Sequence, residues 1–139
     1  MIISRSSDYA LRALMYLAEQ GSEKPTPLDQ IAKAKRVPPA LLSKILQTLV
    51  RAKVLRSQKG YGGGFALAVT PDTLDLAKII ELIDGPFTVF ECLTDTDFCE
   101  SSQCKLRGYF MELQNSMVGM LSKTTVHDLT TDSHPAAAT

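Results

Sequence analysis

The chain has no tryptophan, two histidines and three cysteines in 139 residues. Both histidines, His127 and His134, fall near the C-terminal end. Acid–base catalysis therefore has few candidates. No Ser/His/Asp set, no paired-carboxylate pattern and no nucleotide fingerprint appears, so the sequence does not read as an enzyme. No stretch approaches the roughly 18 uncharged apolar residues of a membrane span. The first residues, Met1 to Arg5, lack the apolar run of a signal peptide. A cytoplasmic protein without a membrane partner is expected, in a compartment where structural disulfides are rare. The odd cysteine count also argues against a closed disulfide framework.

A second absence is local. Net charge is zero, yet residues 1–64 hold 11 Lys/Arg against 4 Asp/Glu, and residues 65–139 hold 4 against 11. No acidic residue lies between Asp29 and Asp72, while that window carries Lys33, Lys35, Arg36, Lys44, Arg51, Lys53, Arg56 and Lys59. One basic helix would be an ordinary solvated face. A basic stretch 42 residues long without a single acid is the footprint of phosphate binding.

Periodicity supplies the elements. Tyr9, Ala10, Ala13, Leu14 and Leu17 share one helical face over Ser6 to Gln20, with Asp8, Arg12, Met15 and Glu19 opposite. Gly21 and the Pro25/Pro27 region end that helix. A short helix is predicted over Leu28 to Lys35. A turn at Arg36-Val37 and a proline-opened helix follow, with Leu42, Ile45, Leu46 and Leu49 inward and an end near Lys53. Two helices joined by a short turn are a helix-turn-helix candidate. Val54 to Arg56 reads as a strand, Lys59 to Gly64 as a glycine-rich tip, and Phe65, Leu67 and Val69 as a returning strand. The glycine run leads into a strand and lacks GK[ST], so it is not a nucleotide loop. Leu74 to Asp84 is predicted helical.

Lys105 to Ser122 reads as a long helix whose Leu106, Phe110, Leu113, Met117 and Met120 follow a 4-3-4-3 spacing, a heptad seam. Pairing with a second copy of the chain is expected, against the alternative of packing on its own first helix. The expected fold is mainly α, a winged helix-turn-helix over 1–84 with a small β-hairpin wing. A cysteine-rich loop spans 85–104, a dimerisation helix 105–123, and a frayed or disordered tail 124–139.

Within a helix-turn-helix the second helix enters the major groove. Pro39, Ala40, Ser43, Lys44 and Gln47 then face the bases, with Lys44 suited to guanine, Gln47 to adenine and Ala40 to a thymine methyl. Arg51, Arg56 and Lys59 suit phosphates, and Tyr61 at the wing tip suits the minor groove. Each of these is otherwise a solvated side chain.

Cys92, Cys99 and Cys104 form C-x6-C-x4-C in a segment with Glu91, Asp95, Asp97 and Glu100. Thiolates ligate iron–sulfur clusters, normally four per cluster, so a fourth ligand is needed. Zinc sites usually show closer C-x2-C pairs. Metal-free thiol chemistry wants basic neighbours, and here Lys105 and Arg107 are the nearest. All three possibilities stand on the residues alone, with the cluster favoured.

The opening SSDYALRALMYLA (6–18), the stretch LSKILQTLVRAKVL (42–55) and the wing KGYGGGFAL (59–67) resemble the Rrf-two family of winged-helix transcriptional regulators. With the three cysteines, the chain looks like the family's cluster-binding branch (IscR-, NsrR- and RirA-like). The resemblance covers roughly residues 1–122. It implies a homodimeric DNA-binding regulator, in repressor sense, that reads a double-stranded operator and senses nitric oxide, redox or iron status through an iron–sulfur cluster on Cys92, Cys99 and Cys104. Some members place a histidine ligand three residues after the last cysteine, where this chain has Arg107. In the nitric-oxide sensors an aspartate of the first helix, matching Asp8 here, supplies the fourth ligand from the partner subunit. That departure and that match favour a 4Fe–4S over a 2Fe–2S cluster. Without a metal, Asp8 is simply an acid favoured at a helix N-terminus.

Overall fold

The computed structural model describes residues 3–90, 93 and 104–131. Helix α1 (Arg5–Gln20) begins at Ser4, whose side chain accepts from the Ser7 backbone N–H at 3.1 Å. That bond satisfies one of the donors a helix start leaves open. The helix buries Ser7, Ala10, Ala13, Leu14 and Leu17. Tyr9, expected on this stripe, is half-buried at its edge.

Helix α2 (Leu28–Lys35) has the predicted bounds and turns its Ile31 and Ala32 inward. It ends on Arg36 in the left-handed region, φ 55 and ψ 47. Helix α3 (Pro39–Arg51) opens with proline and buries Leu42, Ile45, Leu46 and Leu49. Its end comes two residues before the expected Lys53, which itself takes φ 62.

Strands β1 (Leu55–Gln58) and β2 (Gly64–Leu67) pair antiparallel from Leu55 with Leu67 to Gln58 with Gly64. The pairing runs further toward the tip and less far toward Val69 than the alternation predicts. Val69 lies exposed beyond the strand, and within it Phe65, Ala66 and Leu67 are all buried, so no alternating face exists. The reason is a third partner: the Thr26 N–H donates to the Phe65 carbonyl and the Phe65 N–H to the Thr26 carbonyl, each at 2.8 Å. A side chain at Gly64 would overlap the Thr26 carbonyl, so this close approach needs glycine.

A 3-10 turn at Pro71–Thr73 precedes α4 (Leu76–Asp84). The helix starts later than the Leu74 expected, because Asp75 caps it, accepting from the Lys78 N–H at 2.8 Å. Helix α5 (Lys105–Lys123) occupies the predicted span and packs on α4.

The expected frayed tail from Thr124 is corrected over its first part. Thr125 and Asp128 form a reciprocal capping box that starts α6 (Val126–Thr130). The Val126 N–H donates to the Leu74 carbonyl at 2.8 Å, and the Leu76 N–H to the Thr124 carbonyl at 2.9 Å. Val126 is fully buried, and α6 lies on α1. Apolar burial outweighed the polar composition that suggested disorder. Residues 132–139 lie outside the described residues.

One core joins these pieces. Leu14, Leu17, Ile31, Leu42, Leu46, Leu49, Leu74, Ile79 and Val126 are its largest fully buried side chains. Helix α1 touches α2, α3, α4 and α6, so it is the shaft on which the others are mounted. Among the described residues no helix is long and apolar enough to cross a membrane.

Candidate nucleic-acid interface and cysteine segment

Burying Leu42, Ile45, Leu46 and Leu49 turns the other side of α3 outward. Pro39, Ala40, Lys44 and Gln47 are exposed there, with Ser43 half-buried among them. The Thr48 hydroxyl donates to the Lys44 carbonyl at 3.1 Å, and Arg51 Nη2 donates to Thr48 Oγ1 at 3.3 Å. Arg51 is thereby folded back along its helix. Among the described residues no ion pair involves any basic side chain from Lys33 to Lys59. No described carboxylate neutralises their charge.

Of the residues assigned to the wing, Lys59 is exposed and Tyr61 is fully exposed at the tip. Arg56 differs. Its Nη2 donates to the Ser22 carbonyl, tying the hairpin to the loop after α1. The α1–α2 contact is also polar at its surface: Gln30 Nε2 donates to Tyr16 Oη at 2.9 Å, and Lys35 Nζ lies 5.6 Å from the Tyr16 ring centroid.

Of the residues assigned to the metal, Cys92 and Cys99 lie outside the described residues. Cys104 is half-buried at the N-cap of α5. Asp8 sits in the first turn of α1, about half exposed, with Oδ1 accepting from Arg12 Nε at 3.0 Å. Among the described residues no three of His, Cys, Asp or Glu gather into a metal cluster. The donor set itself suits an iron–sulfur group: three soft thiolates in one short segment and a carboxylate on another helix. Arg107, on α5, has no acceptor atom for iron.

The segment that carries the cysteines is anchored at its described ends. The Val89 N–H donates to Gln114 Oε1 of α5 at 3.1 Å, and the Phe90 ring stacks on Phe110 of α5 at 4.6 Å. At the far end Cys104 opens the same helix.

Sequence patterns missed one polar group that frames this region. Asp84, the last residue of α4, accepts from the Ser4 N–H at 3.0 Å, from the Ser4 hydroxyl and from the Ser7 hydroxyl at 2.9 Å. Burial works to raise its carboxyl, but those hydrogen bonds outweigh it and hold the group below its ordinary 3.8. Ser4 and Asp84 are 80 residues apart, so no local spacing could have paired them.

The layout has known counterparts. The family model described as "Rrf2: Iron-dependent Transcriptional regulator" matches residues 3–132. The HTH-type transcriptional regulator NsrR of Shouchella clausii is 28% identical over 131 residues, 93% of this chain and 88% of that protein. The HTH-type transcriptional regulator CymR of Bacillus subtilis is 28% identical over 129 residues, 93% of this chain and 89% of that protein. The solved structure of CymR, described as the global cysteine regulator of B. subtilis, superposes with a TM-score of 0.83 at 25% identity. It covers 96% of this chain and 99% of that one. The family is one of transcriptional regulators and not of enzymes. A model match across nearly the whole chain, joined to a helix-turn-helix and a wing, makes this protein a member of the Rrf2 family of winged-helix transcriptional regulators.

Proposed function

We propose that the chain acts as a homodimeric repressor on a pseudo-palindromic operator and senses nitric oxide, redox or iron status through an iron–sulfur cluster. The observation that carries the DNA half is the exposed, unneutralised basic side of α3 and the wing. Lys44 and Gln47 donate to base edges in the major groove, and Ala40 meets a thymine methyl. Pro39 lacks an N–H and offers apolar contact only, while Ser43 borders the same face. Arg51 and Lys59 hold phosphates, and Tyr61 enters the minor groove. Arg56, fastened to Ser22, contributes charge near the backbone while holding the wing in place.

Cys92, Cys99 and Cys104 would hold the cluster, with Asp8 of the partner subunit as the fourth ligand. A 4Fe–4S group is favoured over 2Fe–2S because Arg107 stands where a histidine ligand would serve the smaller one. When bound, it supplies iron that nitric oxide or oxidants can attack, and a carboxylate ligand is the easiest to displace. The anchoring of both described ends of the cysteine segment on α5 supports a shared site. Release of Asp8 would free α1, which leans on α2 and α3 and so on the groove-reading surface. Derepression of stress or cluster-assembly genes is the expected consequence.

In a second reading the cysteines carry no cluster and act by thiol oxidation or bind zinc. Anaerobic purification separates the two. A coloured protein with about four iron and four sulfide per chain supports the cluster. A colourless sample that iron and sulfide cannot reconstitute sinks it and leaves the second reading. Operator binding, followed by fluorescence anisotropy, should weaken steeply with salt because it rests on many phosphate contacts. A salt-insensitive specific complex would count against the basic surface as the reader.

A further inference from the structure

We infer that Asp84 is a positioning residue for the sensing sites: its carboxylate clamps the first turn of α1, and with it the Asp8 that would serve the partner's cysteines, to the point from which this chain's own cysteine segment departs. On one side of the clamp stands Ser4. It gives Asp84 both its N–H and its hydroxyl, while its carbonyl accepts from the Asp8 N–H at 3.1 Å. Ser7, the neighbour of Asp8, is fully buried and gives Asp84 its hydroxyl. Three donors converge on one carboxylate, and all three belong to the turn that carries Asp8.

On the other side the chain leaves Asp84 at once. Gly85 breaks α4 with φ 86, and Val89 and Phe90 are then fixed to α5. The cysteine segment therefore starts from a point held to α1 by Asp84 and to α5 by Gln114 and Phe110. A displacement of that segment has a short, charged route to α1. Hydrogen bonds to an ionised group are among the stronger ones, so the joint is held by more than apolar packing. Among the described residues no cation pairs with this carboxylate.

The inference rests on the proposed sensing role of Asp8 and the cysteines, and the test has two arms that can fail separately. The first uses the full iron-free chain and amide hydrogen exchange. Asp84→Asn replaces one acceptor oxygen by a donor facing donors. The Asp8 amide is expected to exchange roughly tenfold faster, while amides of Leu42 to Leu49 in α3 keep their wild-type rates. Ser7→Ala, which leaves the two Ser4 bonds, should shift the Asp8 amide in the same direction by less. Wild-type exchange at Asp8 in Asp84→Asn overturns the clamp. So does equal acceleration in α1 and α3, which would mark a merely structural role. The second arm compares operator affinity before and after iron removal. The ratio between the two states should move toward one in Asp84→Asn, and an unchanged ratio overturns the positioning role. If the wild type takes up no iron, the sensing proposal falls, and the exchange arm still decides whether Asp84 holds the turn.

Discussion

Helices α3 and α5 both carry regular apolar stripes, yet only one of them is satisfied. The 13 residues of α3 bury four side chains completely or nearly so against α1, α4 and the hairpin. The 19 residues of α5 bury none. Leu106 stays 62% exposed, Leu113 48% and Met120 70%. Tyr109 adds a ring that is 72% exposed beside them. The stripe of α3 is answered inside its own chain. The seam of α5 presents an apolar face of the kind that marks an interaction surface, and a second copy of the same seam would cover it.

The largest effect that sharpens this contrast is in the core. Leu46→Ala should lower stability by roughly 2–5 kcal/mol, read from thermal or urea unfolding. A cost under about 1 kcal/mol would mean that α3 is not packed as described. The matching change in α5 is Leu113→Glu. It should leave the melting of dilute protein nearly intact but halve the mass seen by sedimentation. An unchanged mass would remove the seam from the interface. It should also weaken operator binding, because two linked half-site readers gain affinity that one cannot.

Next comes the surface of α3. Lys44→Ala should cost about 1–3 kcal/mol of operator affinity if it meets a base edge, with relaxed sequence preference at one position. A loss that is uniform across sequences, with a salt slope lower by about one, would reassign it to a phosphate.

A smaller effect is expected at one backbone site. Arg36 and Lys53 are the non-glycine residues with positive φ among the described residues. Left-handed conformations cost an ordinary side chain about 1 kcal/mol. Lys53→Gly, at the exit of α3, should therefore raise stability by up to about 1 kcal/mol in urea unfolding. A loss of stability instead would show that the Lys53 side chain contributes more than its backbone costs.

The smallest effect is a pH dependence. Because the Asp84 carboxyl is held below 3.8 in the folded chain, its contribution is present above that pH and fades as pH falls through the lower folded value. The stability gap between wild type and Asp84→Asn should be widest near neutral pH and close in acid. A gap independent of pH would show that charge is not what the clamp uses.

What could be read from the sequence divides along the same line. Leu28 to Lys35 and Lys105 onward were legible because their periodicity is local and their ends carry proline, glycine or a break in the stripe. Lys44 and Gln47 followed from the stripe, since whatever is not inward on α3 must face out. Three features were not legible, because they depend on partners distant in sequence. Thr26 joins Phe65 across a 39-residue separation, Ser4 meets Asp84 across 80, and Val126 fills a space between α1 and Leu74. One signal for the last was present. Thr125-x-x-Asp128 is a helix-start pattern, outweighed in composition by the polar tail around it.

The burial of Val126 has a consequence for how the chain is made. The segment that closes the core of the DNA-reading half comes after α5, at the far end of the coding order. A chain emerging from the ribosome cannot complete that half until Thr124 to Thr130 have cleared the exit tunnel. A product stopped at Lys123 would leave Leu74 and part of α1 uncovered, and quality control would meet it as an unfinished domain.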